Sequence, residues 1–274
     1  MTHSSDLIHH LIHECHKYDN KVLTPKSLNK MKYLVQKKAK ESNIDAEVPH
    51  FWYMYGIMTK QPEEGINSKS RVQDTPGQID HARLVGIVND VLDNYYERGI
   101  EGITDISYED APYEVQRNWR ELDKILRTRQ DDCKDFFEVN PSQDEIWDAI
   151  DSVYQKFPLD SFPSMESDMF TWYTCMTREL NRRKPSNPQL MRCNNMFWRL
   201  FSLQLAESHK QGISVSEICD ILDINSLESA RTDSRNALSR IESRGLRAKS
   251  RSKENDEISI DRAADGVVTS VLGI

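Results

Sequence analysis

Apolar residues recur at intervals of three and four along most of this chain, and this spacing predicts a mainly α-helical fold. Separate apolar stripes cover residues 84–95, 115–126 and 146–157. Residues 190–206 are apolar on almost every side, which predicts a buried central helix. The expected fold is therefore a multi-helix bundle, and 38% hydrophobic residues in 274 are enough to give it a core.

Start and stop signals define several helix ends. Thr24-Pro25 supplies an N-cap and a first-turn proline, so a helix is expected from there to near Ser42, with its lysines facing water. Ser142 and Glu145 have the spacing of a capping box. Gly99 is expected to close the helix that begins at Leu84.

One segment has the pattern of a β-strand. Residues 48–56 contain alternating aromatic side chains bounded by Pro49 and Gly56, so a small β element is predicted there. The following stretch, 61–78, is rich in proline and glycine and predicts a long loop. The expected organisation is a helix-strand segment over 1–60, a loop over 61–79, a helical core over 80–212, a candidate helix-turn-helix over 213–253 and a weakly anchored tail over 254–274.

Charge is segregated along the chain despite a net charge of −8. Residues 21–40 carry seven lysines and no acid, while residues 231–253 carry eight basic residues against two acids. Such segments either pair with the acidic stretch at 89–160 or present a surface for a polyanion. The sequence leaves both interpretations open, and internal pairing is preferred.

The composition restricts the classes of protein. No apolar run approaches the length of a membrane span and no signal peptide follows Met1, so a cytoplasmic location and no membrane partner are expected. Five cysteines without C-x-x-C spacing predict reduced thiols. His9, His13 and His16 share one helix face as candidate metal ligands, but no zinc signature is matched, so no metal and no cofactor are predicted.

Two segments near the N-terminus resemble a known family. They are Leu28-Asn-Lys-Met-Lys-Tyr-Leu-Val35 and His50-Phe-Trp-Tyr-Met-Tyr-Gly56. A lysine-bearing helix followed by an aromatic strand that ends in Tyr-Gly resembles the Panacea family of antitoxin-like domains, although Ile57 stands where that family usually has proline. The resemblance implies that the aromatic block is a core element and that the domain binds a protein partner such as a toxin. The partner surface is predicted around Met31, Tyr33, Trp52 and Tyr55.

A second hypothesis concerns the C-terminal basic segment. Residues 216–222, a break at 223–226 and a second helix resemble a helix-turn-helix, in which the second helix enters the major groove of DNA. Asp223 stands where the turn usually has glycine. Arg231, Arg235 and Arg240 are the candidate DNA contacts, although a solvated basic helix would show the same pattern.

No catalytic motif is present in the sequence. It contains neither a glycine-rich phosphate loop nor a G-x-S-x-G elbow, and its paired carboxylates stand at helix starts or in polar loops. The sequence therefore predicts a module that binds a partner without catalysis, with no catalytic residues, and an enzyme of unknown class is a further alternative.

Overall fold

The computed structural model describes residues 3–16, 23–60, 81–128 and 141–251. These residues form ten α-helices and three short strands, which confirms the mainly α fold. The helices are α1 (His3–His16), α2 (Pro25–Glu41), α3 (His81–Tyr95), α4 (Gly99–Glu109), α5 (Glu114–Thr128), α6 (Gln143–Gln155), α7 (Glu166–Leu180), α8 (Asn187–Ser208), α9 (Val215–Leu222) and α10 (Leu227–Arg251). No helix in these ranges has both the length and the apolar character needed to cross a membrane.

Capping positions two helix starts as predicted. The Thr24 side chain accepts a hydrogen bond from the Ser27 N–H at 3.2 Å, and α2 ends one residue before Ser42. At α6 the capping box is complete, because Ser142 Oγ accepts from the Glu145 N–H at 3.1 Å and Glu145 accepts from the Ser142 N–H at 2.6 Å.

The region around Gly99 differs from the prediction. Helix α3 ends at Tyr95 and a short 3-10 turn covers Tyr96–Arg98. Gly99 then adopts a φ of 65°, and α4, which the sequence pattern did not reveal, begins there. Glycine allows this left-handed conformation without a steric cost, so it separates two helices instead of ending a single one.

The predicted strand is part of an antiparallel hairpin. Strand β1 (His50–Tyr53) pairs with β2 (Gly56–Thr59), in register from His50 opposite Thr59 to Tyr53 opposite Gly56. A third strand, β3 (Lys210–Gln211), pairs with the other edge of β1, giving the order β2-β1-β3. A single strand over 48–55 was therefore too long, because Met54 and Tyr55 form the turn. Gly56 has a φ of 102°, and a Cβ there would lie 2.8 Å from Ser107 Oγ.

The chain divides into two compact units, with one division between α4 and α5 and two that fall inside α8 and α10. Unit 1 comprises residues 1–112 and 202–230, and unit 2 comprises 113–201 and 231–274. The predicted segment 213–253 is thus shared between the two units. The predicted loop at 61–79 and the tail at 254–274 lie outside the described residues.

Unit 1 has two apolar clusters. In the larger one, residues of α1, α2 and α3 pack together, among them Ile8, Met31 and Val88, each fully buried. The smaller one brings Phe51 of β1 against Ile218 of α9 and Leu227 of α10.

Unit 2 is built around aromatic side chains. Trp119 of α5 stacks on Trp198 of α8 with ring centroids 4.2 Å apart and an interplanar angle of 6°. Trp172 of α7 stacks on Phe197 of α8 at 5.0 Å. All four side chains are buried. For Phe197 and Trp198 this agrees with the buried helix that the apolar pattern of residues 190–206 predicted. This core holds α7 and α8 side by side and so positions the ends of both helices.

Candidate functional site: an arginine-lined cleft

A short connection places the end of α7 beside the start of α8. Residues 181–186 join the two helices, and connections this short usually make neighbouring helices antiparallel. The buried residues Met169, Trp172, Met176 and Leu180 fix the inward face of α7. Side chains at the C-terminal end of α7 and in the first turns of α8 therefore lie close together.

A cleft of about 200 Å³ lies at this end of the helix pair, within unit 2. Three helices contribute to its wall: α7, α8 and α10. The lining side chains are Cys175, Arg178, Glu179, Arg182, Gln189, Arg192, Cys193, Ile241 and Arg244.

The wall of the cleft carries more positive than negative charge. Glu179 is the one carboxylate that lines it within the described part of the chain, against four arginines. Both oxygens of Glu179 are already engaged, with the Ser186 N–H at 2.9 Å and with Arg182 at 3.1 Å. Glu242 is also near enough to act electrostatically on Cys175. Counting Glu242, four cations face two carboxylates, so a positive charge excess remains.

Arg178 has unused hydrogen-bonding capacity. Its Nη1 atom is buried and has no hydrogen-bond partner among the described residues. Arg192 and Arg244, by contrast, are exposed. A buried donor without a partner costs free energy, so the Arg178 guanidinium is not fully satisfied within the described residues.

Two thiols line the same cleft. Cys175 of α7 and Cys193 of α8 are both buried free cysteines, and Cys193 Sγ donates at 4.0 Å to the carbonyl of Trp172, which lies three residues before Cys175 on α7. The neighbouring Cys193 thiol lowers the pKa of the Cys175 thiol, and nearby Arg178 acts in the same direction, whereas burial and Glu242 oppose it. The neighbouring Cys175 thiol and burial raise the pKa of Cys193. Cys175 is therefore the member of the pair that ionises first.

Most of this cleft was not anticipated from the sequence. Arg178, Arg182 and Arg192 were not predicted to bind a ligand, and Arg244 was included only as part of the basic segment at 231–253. Arg178 lies in the last turn of α7 and Arg182 lies two residues beyond the end of this helix, so both are near the start of α8. Arg192 and Arg244 join them only because α8 and α10 pack nearby in the folded unit, which no local pattern reports.

The three predicted DNA contacts have different environments. Arg231 is buried, and Arg235 donates from Nε to Asp168 Oδ2 at 2.8 Å. Arg240 is exposed and lies one helical turn before Arg244 of the cleft. Helices α9 and α10 are separated by a break that begins at Asp223, whose φ of 52° supplies the left-handed conformation that glycine usually provides. A DNA-binding helix-turn-helix stays a prediction.

The predicted partner surface is divided between interior and exterior. Met31 is fully buried and Trp52 is 6% exposed, with its ring against Tyr108 at 6.0 Å. Tyr33 is partly exposed and donates to Asp110 at 3.2 Å, while Tyr55 is partly exposed beneath Lys26. Two of the four residues are therefore core residues, as the resemblance implied for the aromatic block, and they are not available to a partner in this conformation.

Two lysines of the basic helix α2 lie inside unit 1, contrary to the expectation that the lysines face water. Lys30 is 5% exposed and donates to the Tyr55 carbonyl at 2.7 Å, and fully buried Lys32 donates to the Lys60 carbonyl at 2.6 Å. Burial lowers the pKa of Lys32 to about 8. These two lysines therefore hold the β1–β2 hairpin against α2.

Two further lysines of α2 pair with the acidic stretch, as the preferred interpretation of the charge pattern predicted for this segment. Lys37 pairs with Asp110 at 2.8 Å, and Lys38 pairs with Asp90. Both aspartates belong to the acidic stretch at 89–160. Internal pairing therefore accounts for these two lysines.

The N-terminal histidines do not assemble a metal site in the described ranges. The rings of His9 and His13 lie 4.7 Å apart, whereas His16 is buried. Among the described residues there is no group of three or more His, Cys, Asp or Glu side chains that could hold a metal ion. Burial, with a smaller effect of Lys32, lowers the pKa of His9 to about 4.

Comparisons of the chain with protein-family models, with curated proteins and with solved structures gave no match. The resemblance to the Panacea family therefore rests on the residues of 28–56 quoted above.

Proposed function

We propose that the protein is a cytoplasmic binding module without catalytic activity, and that its arginine-lined cleft binds the phosphate groups of DNA. The observation that carries this proposal is the convergence of Arg178, Arg182, Arg192 and Arg244 on one cleft with a single lining carboxylate among the described residues. This set replaces Arg231, which is buried, and Arg235, which pairs with Asp168, as the principal DNA contacts.

Arginine is well suited to such a ligand. Its planar guanidinium presents paired N–H donors that match two oxygens of a phosphate, and it is weakly hydrated compared with an ammonium group. Arg178 contributes a buried donor that has no protein acceptor in the described residues. Arg192 and Arg244 are exposed, so a ligand can approach them from solvent.

Helix α10 extends the basic surface away from the cleft. Arg240 and Arg244 are four residues apart and both exposed, so they lie on one face of α10. A phosphate bound at Arg244 would place a neighbouring phosphate of the same backbone within the range of Arg240. Contacts of this kind position a nucleic acid without reading its bases.

The proposal is tested by the salt dependence of binding. A fluorescently labelled DNA duplex is titrated with the full chain, and anisotropy is recorded at several salt concentrations. If each of the four arginines neutralises a separate phosphate, log Kobs should fall against log salt with a slope of about −3.6, because each neutralised phosphate releases counterions. An affinity independent of salt would overturn the proposal.

A double variant identifies the contacts. Arg192→Ala combined with Arg244→Ala should reduce the magnitude of the slope by about 1.8. Lys156→Ala is the matched control, since it removes an exposed charge of unit 2 that does not line the cleft. An equal effect of the control would show that binding follows net charge and not the cleft.

A protein partner, such as a toxin, is the second candidate, and Tyr55 is the observation that favours it. This tyrosine sits partly exposed in the β1–β2 turn with Lys26 Nζ 5.5 Å from its ring centroid. Exposed tyrosine is enriched at interfaces because it combines an apolar face with a polar tip. The tagged chain should then retain a stoichiometric protein after nuclease treatment, and Tyr55→Ala should release it. Retention of no protein from the native host would remove this candidate.

A further inference from the structure

The two buried cysteines of the cleft lie at similar distances from the connection between α7 and α8. Cys175 lies five residues before the end of α7, and Cys193 lies six residues after the start of α8. With a rise of about 1.5 Å per residue, they are about 8 and 9 Å along their helices from the connection. Both side chains line the same cleft, and Cys193 Sγ lies 4.0 Å from the carbonyl oxygen of Trp172, three residues before Cys175 on α7.

The environment of the pair differs from that of an inert core cysteine. Cys175 is 7% exposed and Cys193 is 2% exposed, yet both line a cleft large enough to admit a small reagent. Arg178 stands near Cys175, and a neighbouring cation favours a thiolate, the nucleophilic form of cysteine. Glu242 is the acidic group that acts against it.

We propose that Cys175 and Cys193 are a thiol-modification site, at which hydrogen peroxide entering the arginine-lined cleft converts the pair to a reversible disulfide that links α7 to α8. This inference depends on the two thiols and their access through the cleft, and it does not require DNA binding. It gives the cleft a covalent chemistry that the prediction of five reduced cysteines did not include.

The reaction has two steps. The Cys175 thiolate attacks one peroxide oxygen, the O–O bond breaks, and the departing hydroxide takes a proton to leave as water, so that Cys175 becomes a sulfenic acid. The Cys193 sulfur then attacks the Cys175 sulfur. The S–O bond breaks, the hydroxyl leaves as a second water with the Cys193 proton, and the S–S bond forms. Two thiols and one peroxide thus give one disulfide and two waters.

The site is tested on the full chain under native conditions. The protein is treated with increasing hydrogen peroxide, remaining thiols are alkylated, and the digested peptides are identified by mass spectrometry. The expected product is a cross-linked peptide pair containing Cys175 and Cys193, two hydrogens lighter than the separate peptides and released by dithiothreitol. A first disulfide formed by Cys15, Cys133 or Cys219 instead, or irreversible oxidation of Cys175 without the cross-link, would overturn the proposal.

Two single variants assign the roles of the thiols. In Cys193→Ser, Cys175 should stop at the sulfenic acid and be trapped by dimedone, because no second thiol is present. In Cys175→Ser, Cys193 should react much more slowly, since it is the more buried thiol and lacks the cation that favours ionisation. Equal rates for the two variants would refute the assignment of Cys175 as the attacking thiol. Unchanged circular dichroism confirms that each variant is folded before the rates are compared.

Discussion

Two basic regions of this protein use their cations in opposite ways. On α2, Lys30 and Lys32 are buried and donate to main-chain carbonyls of the β1–β2 hairpin region. In unit 2, Arg178, Arg182, Arg192 and Arg244 surround a cleft whose wall holds one carboxylate in the described residues. Two lysines from the dense basic run of the sequence are thus buried within the fold. The arginines, which are dispersed in the sequence, form the candidate binding site.

The contrast follows from side-chain chemistry. A lysine can extend its apolar stem through a packed interior and donate from its ammonium to a carbonyl at the far side. An arginine guanidinium has five donors in a fixed plane and is rarely satisfied by single carbonyls, which leaves capacity for an oxyanion. The density of charge along a sequence is therefore a poor guide to where a ligand binds.

The largest expected effect is on the stability of unit 1. Lys32→Ala removes the donor to the Lys60 carbonyl and leaves a cavity around a fully buried position, so the free energy of unfolding should fall by about 2–4 kcal/mol. Lys40→Ala is the matched control at an exposed position of the same helix, and it should change stability by less than about 0.5 kcal/mol. Chemical denaturation measures both, and equal effects would break the distinction between structural and solvated lysines.

The pH dependence of stability should sharpen the same distinction. The pKa of Lys32 is about 8 in the folded protein, against 10.5 for an ordinary lysine. Between pH 8 and pH 10 the unfolded chain therefore binds one more proton than the folded chain, and stability rises with pH, in total by about 2 kcal/mol. The rise should be visible as the difference between the wild type and Lys32→Met, measured by denaturation at pH 7.5, 8.5 and 9.5. Parallel curves for the two proteins would show that the Lys32 ammonium is not destabilised by burial.

In the cleft the effect should appear in binding and not in stability. Arg178→Ala removes the donor that has no acceptor in the described residues, so affinity for a DNA duplex should fall about tenfold, or about 1.4 kcal/mol, while the free energy of unfolding changes by less than about 1 kcal/mol. Arg178→Lys keeps the charge and loses the planar fork, and should give an intermediate affinity. A loss of stability without a loss of affinity would show that Arg178 stabilises the fold and does not contribute to DNA binding.

The smallest effect is expected at the exposed ion pair of α2. Lys37 and Asp110 lie 2.8 Å apart with side chains 39% and 25% exposed, so Lys37→Ala should cost less than about 1 kcal/mol. Raising the salt concentration should remove most of this difference, because exposed charges are screened. A difference that persists in high salt would mean that Lys37 stabilises the fold by packing and not by charge.

The sequence by itself determined the helical class and several helix ends. The apolar spacing of α3, α5, α6 and α8 and the caps at Thr24 and Ser142 are local, since each depends on residues within one or two turns, and local rules found them. Helix α4 was missed because Gly99 looked like a helix end, although its positive φ in the structure joins one helix to the next. Strand β3 was missed because a strand of two residues is too short to show an alternation of apolar and polar side chains.

Tertiary structure alone decided which charges are buried and which converge on the candidate cleft. Lys30 and Lys32 have the sequence signature of a solvated helix face, and only the hairpin that packs over them makes them interior. Arg178, Arg192 and Arg244 are far apart in the chain, and packing among α7, α8 and α10 brings them to one cleft. The physical reason is that the spacing of apolar residues along a helix shows which side chains share a face. Which other segment packs on that face is decided by contacts between residues that are distant in the sequence.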